Sequence, residues 1–453
     1  MRKALRAVGG IVAVLCACAV LAYAGLWVIN ARDEPPSADV VAFDAQLAQR
    51  PPLADADNAY VYLLGMAAPD AVDPQQLGAQ RMAFLAARAQ APATHPMTQL
   101  PGAERSSWRA MRPGPVVALA KVCQGDIAAC AEALDASAEP TVDQWLTEEG
   151  WLLSRYQTLL AHRAWREYVD GDPTSLPGYT GLMDGQQLLL MQAWRKARKG
   201  DTAAADALLA ADLGFWRVVL RDSDLLISKS IAASAIRRHF AFGNLVLRAG
   251  AMPAPAAWRV PFTTQERSLR RAMSGELRYV GVAVQAASAE VAMAKFDGPA
   301  ERFGVRLQRP FFKPQASTNQ VAARDTQLAD LSELPLAQLP QALAQAGHAT
   351  PQRGLVERLY NPIGKALMDV GDPVVVYAGH ALRIGDLEGF RRVAVATASL
   401  RMQGAATDPN AAPPKIAERD PYTEQPLGWD AQRRMIVFDR KGLDDDPGTR
   451  IVY

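Results

Sequence analysis

The stretch DGQQLLLMQAWRKARKG (184–200), DTAAADALLAADLGFWRVVLRD (201–222) and SDLLISKSIAASAIRRHFAFGNLVLRAG (223–250) decides the fold. It predicts three successive helices. Gly200 ends the first, because a residue without Cβ readily takes the left-handed turn beyond a helix end. Asp201 caps the second, which carries Ala204, Leu208 and Leu209 toward Phe215, Trp216 and Val219 at helical spacing. Asp222-Ser223-Asp224 opens the third, through Ile227, Ile231, Ile236, Phe240 and Leu247, and Gly250 stops it. Each helix has an apolar face that another helix can cover, so helix-on-helix packing follows.

The same spacing extends outward. Thr141-Val142-Asp143-Gln144 reads as a capping box opening a helix through Trp145, Leu152, Tyr156, Leu159 and Leu160 to about Val169. Asp57 is expected to cap a helix through Tyr60 and Leu64, and Asp73-Pro74 to start another over 74–90. Beyond Gly250, helices are expected from Thr264 to Lys295, near 319–332 and 336–346, and over 373–402. The last includes Val374-Val375-Val376-Tyr377, strand-like by propensity but set among helical neighbours. After Gly404 the pattern changes. Pro409, Pro413, Pro414, Pro421 and Pro426 break any helix. Leu427-Gly428-Trp429 and Met435-Ile436-Val437-Phe438 then read as a β-hairpin that docks on the helical body.

At the other end, Arg2, Lys3 and Arg6 precede an apolar run from Ala7 to Ile29. Twenty-three helical residues cover roughly 35 Å, enough to cross a hydrocarbon core of about 30 Å. The basic residues before the run keep the N-terminus in the cytoplasm and export the rest. Ala22-Tyr23-Ala24 fits a signal-peptidase site, but Leu26, Trp27, Val28 and Ile29 continue the run past it. Leu15-Cys16-Ala17-Cys18 is lipobox-like, with the same objection. The expected architecture is therefore all-α. It comprises a cytoplasmic 1–6, a transmembrane signal anchor at 7–29, a linker at 30–56, a periplasmic domain of packed helical hairpins at 57–405, and a Pro-rich tail with a β-hairpin at 406–453.

The 453 residues carry 49 Lys+Arg and 47 Asp+Glu, a net charge of +2 that becomes −1 without the three basic residues before the anchor. A near-neutral ectodomain gives no electrostatic case for nucleic acid. Cys123 and Cys130 are the pair outside the anchor, in a compartment expected to be oxidising. In one continuous helix their Cα atoms would be about 10.5 Å apart, beyond disulfide reach. Gln124-Gly125-Asp126 reads as a helix stop and a new cap, so a disulfide closing a helix–turn–helix is expected. Free buried thiols are the alternative, and no Cys or His pair accompanies them to make a zinc site.

No strong catalytic motif appears. His95, His162, His239, His348 and His380 are all more than five residues apart, which excludes a zincin-type helix. Phosphate-binding and dinucleotide glycine loops, Ser-x-x-Lys and the nucleophile elbow are absent. Gly181-Leu182-Met183-Asp184 resembles a lytic transglycosylase motif, but the upstream Glu-Ser that would supply the acid is missing. Asp444-Asp445-Asp446 offers hard oxygens to Ca²⁺ but reads first as a solvated charge run. Arg237 and Arg238, and Arg267, Arg270 and Arg271, read as solvated basic faces. No cofactor or metal is expected. The criterion set by chemistry is simple: a groove with convergent carboxylates, or His with Asp, favours an enzyme, whereas an apolar groove favours binding.

The Gly200-Asp201 turn between Ala-rich helices resembles a tetratricopeptide hairpin over about 40 residues, without a second copy at that repeat's period. The segment from Asp420-Pro421-Tyr422-Thr423 through the acidic turn resembles the C-terminal segment of type II secretion major pseudopilins. It departs from them in lacking glycine pairs around the acidic loop, the short leader and the family's length. The order of segments resembles a group of uncharacterised single-pass envelope proteins of Gram-negative bacteria. These features are Asp57-Asn58 before Tyr60, the two-Cys turn, the Gly200-Asp201 hairpin, Asn361-Pro362-Ile363-Gly364-Lys365 and the Asp-Pro-Tyr-Thr tail. That resemblance implies architecture and location but no activity. The expected function is protein binding or scaffolding in the envelope, with the bilayer contacted through 7–29 and an envelope protein as partner. A periplasmic hydrolase on cell-wall or lipid substrates is the alternative.

Overall fold

The structure, a computed structural model, describes residues 2–90, 100–105, 107–136, 138–171, 176–293, 298, 303–304, 307–348, 354–403, 416–442 and 450–453. The chain is mainly helical. Helix α1 (Arg2–Ile29) is followed by α2 (Ala38–Ala48), α3 (Ala59–Gly65) and α4 (Pro74–Gln90). Next come α5 (Gly114–Gly125), α6 (Ile127–Asp135), α7 (Glu139–Glu148) and α8 (Gly150–Leu160). The long helices α9 (Thr180–Arg198), α10 (Thr202–Asp222) and α11 (Leu226–Ala249) pack on one another, as their apolar spacing requires. The remaining helices are α12 (Thr264–Arg267), α13 (Arg270–Met293), α14 (Pro314–Ser332), α15 (Leu339–His348), α16 (Leu355–Leu359), α17 (Pro362–Val370) and α18 (Pro373–Met402). Strands β1 (Gly428–Asp430) and β2 (Met435–Val437) pair antiparallel, Trp429 opposite Ile436.

One core runs from Val40 to Ile451. Helix α18 lies against α11, α14 and α15, and β2 packs on it. Within residues 30–56, α2 buries Val40 and Phe43 against α13 and α14. Over Val8–Ile29, α1 is long and apolar enough to cross a membrane, and that stretch is not enclosed by the protein. Such a helix is compatible with a single-pass anchor.

Several boundaries differ from expectation. Pro140 starts α7 early, so Thr141 lies inside a helix rather than at its cap. The helix expected through Val169 ends at Leu160. Beyond it the chain is extended, and Asn58 brackets it: Arg166 N–H donates to Asn58 Oδ1 at 3.0 Å, and Asn58 Nδ2 donates to the Arg166 carbonyl at 2.9 Å. The same Asn58, not Asp57, caps α3. The helix expected from Thr264 to Lys295 is broken at Ser268, after a capping box between Thr263 and Glu266. Residues 373–402 form a single helix that includes Val374–Tyr377. Asp126 caps α6 as expected, and Cys123 and Cys130 are disulfide-bonded across the turn, with Cα atoms 4.5 Å apart.

The tail is held by two carboxylates. Asp420 accepts from Tyr422 N–H, Thr423 N–H and Asp439 N–H. Asp386 of α18 accepts from the Tyr422 hydroxyl at 2.7 Å and from Gly442 N–H at 2.9 Å. Ile436 is 1% exposed, and the Phe438 ring stacks edge-to-face on Phe390. Ile436→Ala should cost about 2–4 kcal/mol of docking contact. Limited proteolysis should then cut the tail of the variant while the helical circular-dichroism signal persists. A wild-type tail already cut under the same conditions contradicts this packing.

Candidate functional site

Among the described residues, two histidines meet chemistry-bearing partners. His239, on α11, is fully enclosed. Its Nδ1 donates to Asp212 Oδ2 at 2.7 Å, and its Nε2 accepts from the Trp258 indole at 2.8 Å. Asp212 Oδ1 accepts from the Tyr156 hydroxyl at 2.6 Å, and Oδ2 also from Gln186 at 3.1 Å. Tyr156 in turn accepts from the Trp216 indole at 2.9 Å. This His–Asp pair has the composition of a catalytic dyad, but every imidazole nitrogen is occupied by protein and no solvent reaches it. It is a network that satisfies buried polar groups.

His380 is different. Its Nδ1 lies 2.9 Å from Ser230 Oγ, in a cavity of about 190 Å³ shared with Arg237 and Arg383. Burial, and then the Arg383 charge, push its pKa down, which keeps the ring able to accept a proton. Among the described residues no carboxylate orients this imidazole.

Another opening, of about 360 Å³, is walled by Trp108 and Trp151, whose rings meet edge-to-face at 6.1 Å. Trp108 comes from the 3-10 turn Trp108–Met111, and Trp151 from the first turn of α8. Arg105 lies 4.5 Å from the centre of the Trp151 ring, and Arg112 4.9 Å from that of Trp108. Nearby, Asp184 of α9 accepts a two-pronged pair of bonds from Arg109, both 2.6 Å. Arg112 bridges Asp184 to Glu149. Glu149 sits at the junction between α7 and α8, which restarts at Gly150. Both buried carboxylates are thus held by guanidinium groups, while Glu148 stands exposed at the rim. Aromatic walls with a few fixed polar groups are the usual make-up of a ligand pocket.

Sequence reading singled out Asp184 for a resemblance it does not fulfil, and passed over Trp108 and Trp151. The available signal was Arg105, Trp108, Arg109 and Arg112 crowded between prolines. The basic faces expected to be solvated are instead engaged. Arg237 is buried, Arg238 donates to the Met183 carbonyl, and Arg270 pairs with Asp330 and Glu333. His95 and Asp444–Asp446 lie outside the described residues. Comparison with protein-family models, with curated proteins and with solved structures finds no match for the chain.

A further buried cluster sits at the start of α11. Glu167 accepts from the backbone N–H groups of Asp224 and Leu225, and Arg50 pairs with Asp224. Burial pushes the Glu167 carboxyl up to about 7. One turn on, Lys229 donates to the Leu220 and Glu266 carbonyls, and burial pulls it down to about 7. The two act in separate windows. A raised Glu167 favours the fold fully below its unfolded value of 4.5, and that contribution is lost as pH rises through about 7. A lowered Lys229 contributes fully above 10.5, and that contribution is lost as pH falls through about 7. Chemical denaturation should show Glu167→Gln removing a stability loss of about 3 kcal/mol between pH 4.5 and 7. Lys229→Met should instead flatten the region above pH 7. Unchanged slopes in both variants would contradict these assignments.

Proposed function

We propose that the protein is a binding protein tethered to the bacterial inner membrane by α1, with its helical body in the periplasm. The basic residues before the span support that orientation, since positive charge is retained on the cytoplasmic side. The ligand site is the pocket between Trp108 and Trp151. Its lining carries two cations, Arg105 and Arg112, and two anions, Glu148 and Glu149, so it favours a neutral ligand. Indole faces take the apolar side of a ring, and the charged rim takes its hydroxyl and amide groups. A neutral saccharide unit has both properties, and one exported cell-wall sugar is of the right size for a pocket at the lower end of the usual range. The observation that favours binding over catalysis is the pairing of the buried carboxylates at and beside the pocket: Glu149 and Asp184 are each engaged by arginine rather than left to move protons.

Titration of the full chain with an N-acetylated cell-wall disaccharide, followed by tryptophan fluorescence, tests this. Saturable binding is expected. Trp151→Ala should weaken it about tenfold, or about 1.4 kcal/mol. Equal binding by the variant, or no binding of neutral saccharides, contradicts the reading.

The Ser230–His380 contact favours a second reading, a hydrolase in which His380 takes the Ser230 proton. A fluorophosphonate probe should then label Ser230 in the wild type and lose that label in His380→Ala. An unlabelled Ser230 removes this alternative.

A further inference from the structure

The face of α1 turned toward the body is a stripe of Tyr23, Leu26, Ile29 and Asn30, the residues of that end which are wholly or partly covered. Their spacing is one side of a helix. The Asn30 side chain donates to the Leu359 carbonyl at 2.9 Å and accepts from Asn361 N–H at 2.7 Å. Two turns deeper, the Tyr23 hydroxyl donates to the Leu307 carbonyl at 3.1 Å, and its ring meets Phe311 edge-to-face at 5.5 Å. Asp33 then caps α14, accepting from Gln315 and Ala316 N–H, so the exit from the span is fixed to the body. Tyr23 lies six residues before Ile29, about 9 Å along the helix axis. Body residues that touch Tyr23 are therefore below the end of the apolar run, not above it.

Leu307 and Phe311 are the residues that meet Tyr23, and exposed apolar side chains flank them in the chain and beside the span: Leu307 is 37% exposed, Phe303, four residues before it, is 63%, and on α16, which contacts α1, Leu355 is 75% and Val356 66%. In water such a group of exposed apolar side chains around an anchor is a liability. In the outer part of a leaflet it is favourable. Interfacial segments bury their apolar side about 5–10 Å into the boundary between headgroups and acyl chains, and the 9 Å offset falls in that range. The Tyr23 hydroxyl would lack a partner among acyl chains, and the Leu307 carbonyl supplies one.

We propose that the body itself enters the outer leaflet through a collar of Phe303, Leu307, Phe311, Leu355 and Val356 seated around the upper turns of α1. The proposal rests on the reading of α1 as a membrane span and goes beyond it: the anchor is not a flexible tether, and the body is held at a fixed height and orientation on the lipid surface. The occupant of the apolar face is the acyl-chain region of the bilayer, because the face is continuous with the side of α1 that lipid surrounds.

The test uses the full chain reconstituted in phosphatidylcholine–phosphatidylglycerol vesicles. In a Cys16→Ser, Cys18→Ser background, single cysteines replace exposed residues and carry an environment-sensitive fluorophore. Leu15→Cys reports the span, Leu307→Cys and Val356→Cys report the collar, and Val260→Cys reports the body. Nitroxide on the acyl chain should quench positions 15, 307 and 356 more strongly than aqueous iodide does, with the reverse at 260. Quenching of 15 by lipid but of 307 and 356 by iodide overturns the collar and leaves the anchor standing. Shielding of 307 and 356 from both quenchers means that protein, such as a second copy of the chain, covers the face, and also overturns it. A position 15 open to iodide rejects the span, and the collar with it.

Discussion

Asp212 is a carboxylate with no exposure to water, placed where α8, α9, α10 and α11 converge. A carboxylate there is tolerated only if its oxygens are hydrogen-bonded, since leaving buried polar oxygens unpaired costs kilocalories. The bonds come from Tyr156, Gln186 and His239, one from each of the other three helices. Indole donors from Trp216 and Trp258 then satisfy Tyr156 and His239. Each helix is thus fixed in register by a polar group that has only one place to go. Small residues make room for this: a Cβ at Gly185 would lie 2.8 Å from the Tyr156 ring, and one at Gly243 2.7 Å from the Trp258 ring.

The hub also sorts the chemistry of the molecule. It takes up the His–Asp pair that would otherwise be the first place to look for an enzyme. The Arg109–Asp184 and Arg112–Glu149 pairs do the same for two buried carboxylates beside the tryptophan pocket, which Arg112 and Glu149 help to line. In the tryptophan pocket the aromatic and guanidinium surface then faces solvent together with Glu148, and elsewhere the Ser230–His380 contact lines an opening of its own. Arginine suits this role, since its planar fork grips a carboxylate while its face lies against an indole.

The helical body was legible because apolar spacing and caps act locally. The Gly200-Asp201 turn, the Asp126 cap and the disulfide it permits, and the β-hairpin around Trp429 all follow from residues near in sequence. The Pro140 start, the Asn58 cap and the Thr263–Glu266 capping box are local signals that the reading placed wrongly, whereas two departures are long-range. At the α7–α8 junction Glu149 pairs with Arg112, 37 residues away, and residues after Leu160 are bracketed by Asn58, 108 residues from its partner Arg166. No local pattern carries a long-range hydrogen bond. The tryptophan pocket was missed for the same reason, since Trp108, Trp151 and Asp184 meet only once α8 and α9 have packed. His239 could be read as a packed histidine, but nothing in the sequence named Asp212 as its partner.

The claim that the His239–Asp212 pair is sealed structure rather than machinery is open to one direct measurement. Native full-length protein is treated with diethylpyrocarbonate, and the modified histidines are located by mass spectrometry before and after unfolding. With Nδ1 bonded to Asp212 and Nε2 to Trp258, and with no solvent contact, His239 should stay unmodified until the protein unfolds, whereas half-exposed His162 and His380 react in the native state. Modification of His239 in the folded protein at a rate comparable to theirs would mean that the hub opens to solvent, and would contradict this account.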